Sequence, residues 1–142
     1  MAVSTPKLTM PTERLEKPFL NWAGNKRHIA KRILQLQIPE FLRYHEPFLG
    51  SGAFFLALSS ICKFPKAFLS DRNQHLTSMF LAIKNDPESV IRSLKLHILL
   101  DSDIHFSGVL GELNNNLTGE NADPAHAAGV IYVLAQSFHS SW

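Results

Sequence analysis

The sequence has little cysteine and no histidine arrangement typical of a metal site. Its single cysteine, Cys62, excludes an internal disulfide and any zinc site built from cysteines. Because Cys62 lies in the apolar run 54–62, we expect a buried thiol. The seven histidines show neither the two-histidine helical spacing of a metal site nor clustering with acidic residues. We therefore predict no metal.

Long apolar runs are also lacking. No segment reaches membrane-spanning length, and the N-terminal stretch MAVSTPKLTMPTERLEKP lacks the apolar region of a signal peptide. We therefore expect a soluble, cytoplasmic protein with no membrane partner, in which residues 1–16 form a flexible tail. Charge is scarce as well, at 18% of residues and a net +2. The basic cluster Lys26, Arg27, Lys31 and Arg32 suits an anionic ligand, although a solvated helix face is the commoner meaning of such a run.

The 142 residues contain enough apolar residues to fold, since 45% of them are hydrophobic. Predicted strands and helices alternate in the first half, which is typical of an α/β fold with a mainly parallel sheet covered by helices. The predicted strands are 43–48 and 67–70, and the predicted helices of this half are 25–37 and 52–61. Asn25 is the expected cap of the first helix, in which Ile29, Ile33 and Leu36 recur on one face.

The second half is predicted to be helical. Helices are expected over 74–84 and 88–100, separated at Asp86-Pro87, because proline disfavours helix in the residue before it. Residues 108–123 are rich in Gly and Asn and predict a loop with one helical turn. A last helix is expected from Pro124, with one face formed by Ala127, Ile131, Leu134 and Phe138.

The clearest chemical signal is the segment 46–52, EPFLGSG, in which a strand runs into two glycines that open a helix. Gly50 and Gly52 permit a sharp turn and a close approach of backbone to ligand. Asp71 follows Gly52 by 19 residues at the end of the next predicted strand, where a carboxylate can accept hydrogen bonds from a ribose diol. Glycine turns and capping aspartates also occur in many α/β domains without a ligand. Together, the two features favour a cofactor of the adenosine type.

Two further positions narrow the choice of cofactor. A dinucleotide fold normally has a third glycine where this sequence has Phe55, which argues against NAD or FAD. Upstream, the segment 21–26, NWAGNK, places Trp22, a glycine turn and Lys26 at a predicted helix start. A helix N-terminus beside an ammonium suits a carboxylate, such as that of the methionine part of S-adenosylmethionine.

In this order, the segments FLNWAGNK (19–26), EPFLGSG (46–52) and SDRN (70–73) resemble the cofactor motifs of Dam-type adenine-specific DNA methyltransferases. That family typically has a second glycine where Asn25 stands. The resemblance implies a partial Rossmann-like methyltransferase fold with S-adenosylmethionine bound in residues 17–100. It also implies that 101–142, a loop and helix, begin the region that recognises double-stranded DNA. The implied cofactor residues are Trp22, Ala23, Gly24, Lys26, Pro47, Phe48, Gly50, Ser51, Gly52 and Asp71.

The resemblance also implies a later tetrapeptide of the Asp-Pro-Pro-Tyr type, which holds the amine of a flipped adenine and stacks on its ring. The sequence contains no such tetrapeptide, and we assign no catalytic residue. We expect a truncated or split adenine methyltransferase whose catalytic half comes from a second polypeptide, and a half-domain that self-associates. Two alternatives stay open, a catalytically inactive S-adenosylmethionine-binding regulatory subunit and a fragment of a dinucleotide-binding oxidoreductase.

Overall fold

The computed structural model describes residues 16–24, 26–36, 41–115 and 122–137. Contacts between Cα atoms divide the chain into two compact units. The first, here called the strand unit, comprises the described parts of Met1–Phe19 and Gly24–Ser70. The second, the helical unit, comprises those of Leu20–Ala23 and Asp71–Trp142. The tail predicted for residues 1–16 lies outside the described residues except for Glu16.

The strand unit has the predicted strand-helix-strand order. Its elements are α1 (Arg27–Leu34), β1 (Arg43–Glu46), α2 (Ala53–Ser59) and β2 (Lys66–Leu69). The strands pair in parallel, from Arg43 opposite Lys66 to Glu46 opposite Leu69. The α/β class with a parallel sheet is therefore confirmed, with two strands among the described residues. Each strand ends one or two residues earlier than predicted.

The first predicted helix exists, but it buries a different face. Ala30 and Leu34 are buried with Ala57 and Leu58 of α2, whereas the stripe Ile29, Ile33 and Leu36 is 57%, 37% and 66% exposed. Alanine on each helix allows α1 and α2 to pack closely, which the spacing of large residues does not reveal. The predicted cap Asn25 lies outside the described residues, and the structure assigns the N-cap position to Lys26.

Aromatic residues and the thiol of Cys62 complete the core of the strand unit. Phe41, Tyr44, Phe54 and Phe64 pack at its edge, with the rings of Phe41 and Phe64 stacked 5.5 Å apart. Cys62 is half-buried against the same cluster, and burial raises the pKa of its thiol. On the opposite face of the sheet, the rings of His45 and Phe68 stack at 4.6 Å and both residues are exposed.

The helical unit contains α3 (Gln74–Asn85), α4 (Pro87–Leu99), α5 (Asp103–Asn115) and α6 (Pro124–Gln136). Helix α6 packs against the other three and is buried around most of its circumference, including Val130 and Val133 at 0% exposure. Leu76 and Met79 of α3 meet it in the core. Of the face predicted for α6, Ala127 and Leu134 are buried and Ile131 is half-buried, whereas Phe138 lies outside the described residues.

Three helices in this unit begin at a residue whose side chain caps the helix. The Asn73 carboxamide oxygen accepts from the N–H groups of His75 and Leu76. Asp86 accepts from Ser89 N–H and Asp123 accepts from Ala125 and His126 N–H, each one residue before a proline. Each cap satisfies backbone donors that the first helical turn leaves unpaired. The break predicted at Asp86-Pro87 is confirmed.

The loop predicted over 108–123 is wrong for its first part, because α5 continues to Asn115. Apolar residues at helical spacing explain the helix: Val109 and Leu113 are buried, and Phe106 and Leu110 pack beside them. A glycine inside a helix costs about 1 kcal/mol relative to alanine, and this burial outweighs the cost. Residues 116–121 lie outside the described residues. No helix in the described part of the chain is long and apolar enough to cross a membrane.

Candidate functional site

The segment after β1 forms the glycine turn that the sequence predicts. Gly50 and Gly52 have φ angles of 54° and 70°, in the left-handed region that favours glycine. The Gly52 N–H donates to the Leu49 carbonyl at 2.9 Å, and Gly52 is the N-cap of α2. The Leu49 N–H donates to the Ser70 carbonyl at 3.0 Å, which ties this turn to the end of β2. Ser51, between the two glycines, is buried, so this part of the turn is packed inside the protein.

Lys26 joins two of the predicted motifs. It lies immediately before α1, and its ammonium donates to the carbonyl oxygen of Phe48 in the segment that follows β1. The same ammonium lies 3.4 Å from Oε1 of Glu46. The upstream lysine and the glycine-turn segment, 22 positions apart in sequence, therefore meet at the carboxyl end of the sheet. Ligands of parallel α/β sheets bind at this end.

Glu46 is a functional candidate that sequence reasoning missed. Its side chain is buried, at 6% exposure for the residue, and its two carboxylate oxygens have different partners. Oε1 faces Lys26, and Oε2 accepts from the Tyr44 hydroxyl at 2.7 Å. Burial, the hydrogen bond to Glu46 and the charge of Glu46 together raise the pKa of Tyr44. The sequence did contain a signal for this pair. Tyr44 and Glu46 are two residues apart on a strand, and such residues lie on the same face of the sheet.

The remaining candidates of the strand unit lie at its surface. Phe48 is 71% exposed and Pro47 beside it is exposed, so the aromatic ring is accessible next to the glycine turn. Gly24 has a φ of 74°, and a Cβ added there would have nothing within 4 Å. Its backbone conformation, and not lack of space, therefore favours glycine at this turn.

The other candidates belong to the helical unit. Ala23 is exposed, and Trp22 is half-buried against the core of that unit. Asp71 follows β2 closely along the chain, and its Oδ1 accepts from the N–H of Asn73 at 2.9 Å. Because Asn73 caps α3, Asp71 is fixed at the start of that helix. The structure thus brings Lys26, Glu46 and the Phe48 backbone into contact, and it describes Trp22 and Asp71 within the other unit.

The chemistry of Lys26, Glu46 and the segment around Phe48, which are in contact, suits a charged organic ligand. It offers an ammonium, a buried carboxylate and a glycine turn with an exposed aromatic beside it. Among the described residues, no group of three or more histidine, cysteine or acidic side chains is placed to hold a metal ion. An ammonium has three N–H donors, so Lys26 has the capacity to bind a ligand carboxylate beside its two protein acceptors.

Comparison with known proteins identifies relatives that align with more than half of this chain, and the aligned part is less than half of each relative's own length. A type II methyltransferase of Lactococcus lactis subsp. cremoris is 27% identical over 123 residues, which are 87% of this chain and 42% of that protein. A type II methyltransferase of Methanocaldococcus jannaschii is 36% identical over 83 residues, or 55% of this chain and 29% of that protein. A DNA adenine methylase of Vibrio cholerae is 32% identical over 80 residues, covering 56% and 27%.

The chain therefore spans less than half the length of these relatives. No solved structure matches it. The family described as D12 class N6 adenine-specific DNA methyltransferase matches residues 22–136, which include the lysine, the glycine turn, Asp71 and helices α1 to α6. A match over this much of the sequence establishes the family. The chain belongs to the D12 class of N6 adenine-specific DNA methyltransferases.

Proposed function

We propose that this chain supplies the cofactor-binding part of an enzyme that transfers a methyl group from S-adenosylmethionine to the exocyclic amine of adenine in double-stranded DNA. The observation that carries the proposal is the contact of the Lys26 ammonium with the Phe48 carbonyl and Glu46 beside two glycines of positive φ. This set combines a cation for the carboxylate of the methionine part with a backbone turn that a ligand can approach closely.

Each predicted residue then has a role. Lys26 binds the carboxylate of the cofactor, and Gly24, Gly50 and Gly52 keep the backbone turns in conformations that leave room for it. Phe48, with Pro47 and Ser51 in the same segment, offers an exposed ring to the adenosine part. Asp71 accepts hydrogen bonds from the ribose hydroxyls, and Trp22 and Ala23 contact the methionine portion. Residues 17–100 form the cofactor-binding region and 101–142 begin the DNA-recognition region.

The parallel strand-helix-strand order supports assignment to a Rossmann-like fold. In such folds a glycine turn after the first strand opens a helix, and an acidic residue follows the next strand. Here β1 leads to Gly50 and Gly52, α2 follows, and Asp71 comes after β2. The spacing and the parallel pairing agree with this order.

We further propose that the 142 residues transfer no methyl group by themselves and that a second polypeptide in the cytoplasm supplies the catalytic tetrapeptide. The proposal rests on the sequence, which contains no Asp-Pro-Pro-Tyr type segment. The alternative is a catalytically inactive regulatory subunit that binds S-adenosylmethionine. The two differ in one respect, because only the split enzyme becomes active when mixed with a catalytic chain.

Titration calorimetry with S-adenosylmethionine tests the cofactor assignment. Lys26→Ala should weaken binding, whereas Lys31→Ala, on the exposed surface of α1, should bind as wild type does. Asp71→Ala should lose about 1.5–3 kcal/mol of binding free energy, as expected when hydrogen bonds to a charged acceptor are removed. Equal heats for wild type, Lys26→Ala and Asp71→Ala would remove both residues from the site.

Reconstitution tests the split enzyme. The protein is mixed with a chain that carries the catalytic tetrapeptide, and tritium transfer to duplex DNA is measured for each chain and for the mixture. We expect methylation only in the mixture, and Asp71→Ala should assemble normally but fail at low cofactor concentration. A catalytic chain that is equally active without this protein would favour the regulatory subunit.

A further inference from the structure

The hydroxyl of Tyr44 contacts Glu46, and Glu46 in turn contacts Lys26 of the cofactor site that we propose. Resting on that proposed function, we infer that Tyr44 is a positioning residue: its hydroxyl fixes Glu46, and Glu46 holds the Lys26 ammonium at the glycine turn. Tyr44 therefore determines how strongly the site favours ligands that carry a carboxylate. It does so without touching the ligand itself.

The distances define a continuous chain of polar contacts within the strand unit. The Tyr44 hydroxyl donates to Glu46 Oε2 at 2.7 Å, and Glu46 Oε1 lies 3.4 Å from the Lys26 ammonium. Because Glu46 is only 6% exposed, water contributes little to its solvation, and each carboxylate oxygen depends on a protein partner. The hydrogen bond at one oxygen therefore fixes the direction in which the other oxygen points.

Lys26 needs such a support. A lysine side chain is flexible, and that of Lys26 is 40% exposed, so fixing it in one direction costs conformational entropy. A buried carboxylate of fixed orientation supplies part of this fixation before any ligand binds. A pre-positioned ammonium binds a ligand carboxylate more tightly than a mobile one, because less entropy is lost on binding.

A purely structural role for Tyr44 is the competing interpretation. Its ring lies within 6.4 Å of the rings of Phe41, Phe54, Phe55 and Phe64, measured between centroids, so the ring contributes to the core. The two roles belong to different atoms. Tyr44→Phe keeps the ring and removes only the hydroxyl, which makes it a sharp test.

The test compares two ligands by calorimetry. S-adenosylhomocysteine carries the amino-acid carboxylate, whereas 5′-methylthioadenosine shares the adenosine part and lacks the amino acid. We expect Tyr44→Phe to weaken binding of S-adenosylhomocysteine by about tenfold, the loss typical of a hydrogen bond to a charged group. Its binding of 5′-methylthioadenosine should stay within about twofold of wild type. A structural role would weaken both ligands together.

Two further variants secure the interpretation. Glu46→Gln removes the charge but keeps an oxygen acceptor for Tyr44, and it should give the same selective loss if Tyr44→Phe fails to fold. The matched control is Tyr132→Phe in the helical unit, whose hydroxyl donates to Asp101 at 2.6 Å; it should bind both ligands normally. Because Tyr44 acts through Lys26, the double variant Tyr44→Phe, Lys26→Ala should bind S-adenosylhomocysteine no more weakly than Lys26→Ala alone.

The outcomes separate this inference from the function on which it rests. Equal weakening of both ligands in Tyr44→Phe, or fully additive effects of Tyr44→Phe and Lys26→Ala, would overturn the positioning role while leaving the cofactor assignment intact. Wild-type protein that binds neither ligand would overturn the proposed function and this inference with it. A selective, non-additive loss supports both.

Discussion

The imidazole rings of His75 on α3 and His126 on α6 face each other, with 3.1 Å between Nδ1 of His75 and Nε2 of His126. The rings are nearly parallel, with centroids 5.1 Å apart. At this distance one ring nitrogen donates and the other accepts, so a single proton serves the contact. Burial, and for His75 also the neighbouring His126, lowers the pKa of both imidazoles, while Asp123 opposes the shift at His126.

Acid should therefore destabilise the helical unit. The pKa of each of the two histidines is lower in the folded protein than in the unfolded chain, so the unfolded chain binds more protons below about pH 6.5. The contribution of these two histidines to stability is constant above that pH. It falls as the pH drops from about 6.5 towards the lower pKa values of the folded protein. Urea unfolding at pH 7.5, 6.5 and 5.5 should show a decreasing free energy of unfolding.

The variant His126→Gln should make this fall shallower, because the amide keeps a polar partner for His75 and does not titrate in this range. His97, whose pKa is lowered by burial and by nearby His105, forms a second pair with 3.0 Å between its Nδ1 and His105 Nε2. His97→Gln should independently make the fall of the free energy of unfolding with pH shallower still. An unchanged slope in both variants would contradict the assignment of the acid response to these pairs.

Two glycines in the helical unit should respond oppositely to substitution. A Cβ added at Gly108 in α5 would have nothing within 4 Å, so Gly108→Ala should stabilise the protein by about 0.5–1 kcal/mol. At Gly129 in α6 a Cβ would lie 3.3 Å from Cγ1 of Val109, so Gly129→Val should destabilise it by about 1–3 kcal/mol. Thermal unfolding of the two variants measures both effects. Stabilisation by Gly129→Val would show that α5 and α6 pack less closely than described.

The positive φ of Gly52 should make it intolerant of alanine. Gly52→Ala should lose about 1–2 kcal/mol of stability, because a Cβ is unfavourable in the left-handed region. Gly52→Asn should lose less, because asparagine adopts this conformation more readily. Gly24→Ala is the matched control at a similar φ, with space around the added Cβ. A larger loss in Gly52→Ala than in Gly24→Ala, measured by urea unfolding, would show that crowding adds to backbone strain at Gly52.

An apolar patch at the junction of α4 and α5 should promote the self-association that the sequence predicts. Leu96, Leu99, Leu100 and Ile104 are 60%, 80%, 58% and 87% exposed. Exposed apolar patches commonly mark protein contacts. The double variant Leu99→Lys, Ile104→Lys should shift sedimentation towards monomer at high concentration. The control Leu42→Lys, at an exposed leucine of the strand unit, should not; the reverse result would assign the contact to the strand unit.

The sequence predicted the order of elements better than their packing. Glycines, prolines and capping residues mark local conformation, so the turn at Gly50 and the start of α4 at Pro87 could be predicted from them. The buried face of α1 and the existence of α5 depend on close contact between helices. Small residues such as Ala30 and Gly129 permit that contact, and a search for large apolar residues does not detect it.

The candidate site shows the same limit. Lys26 and the glycine turn could be predicted because their residue types suit the chemistry of a charged ligand at those positions. Glu46 could not be assigned a role from its position alone, since its importance depends on burial and on the partners at its two oxygens. Both properties arise only in the folded strand unit, where Lys26, just before α1, lies against the carboxyl end of β1.

The central position of α6 has a consequence for synthesis of the protein on the ribosome. Translation delivers α3, α4 and α5 first, yet all three pack against α6, which follows them in the chain. Until α6 emerges from the exit tunnel, nascent residues such as Leu76, Met79 and Leu113 have no completed core to enter. The helical unit should therefore need chaperone protection during elongation, and ribosome-bound chains arrested before Pro124 should be cut readily by protease.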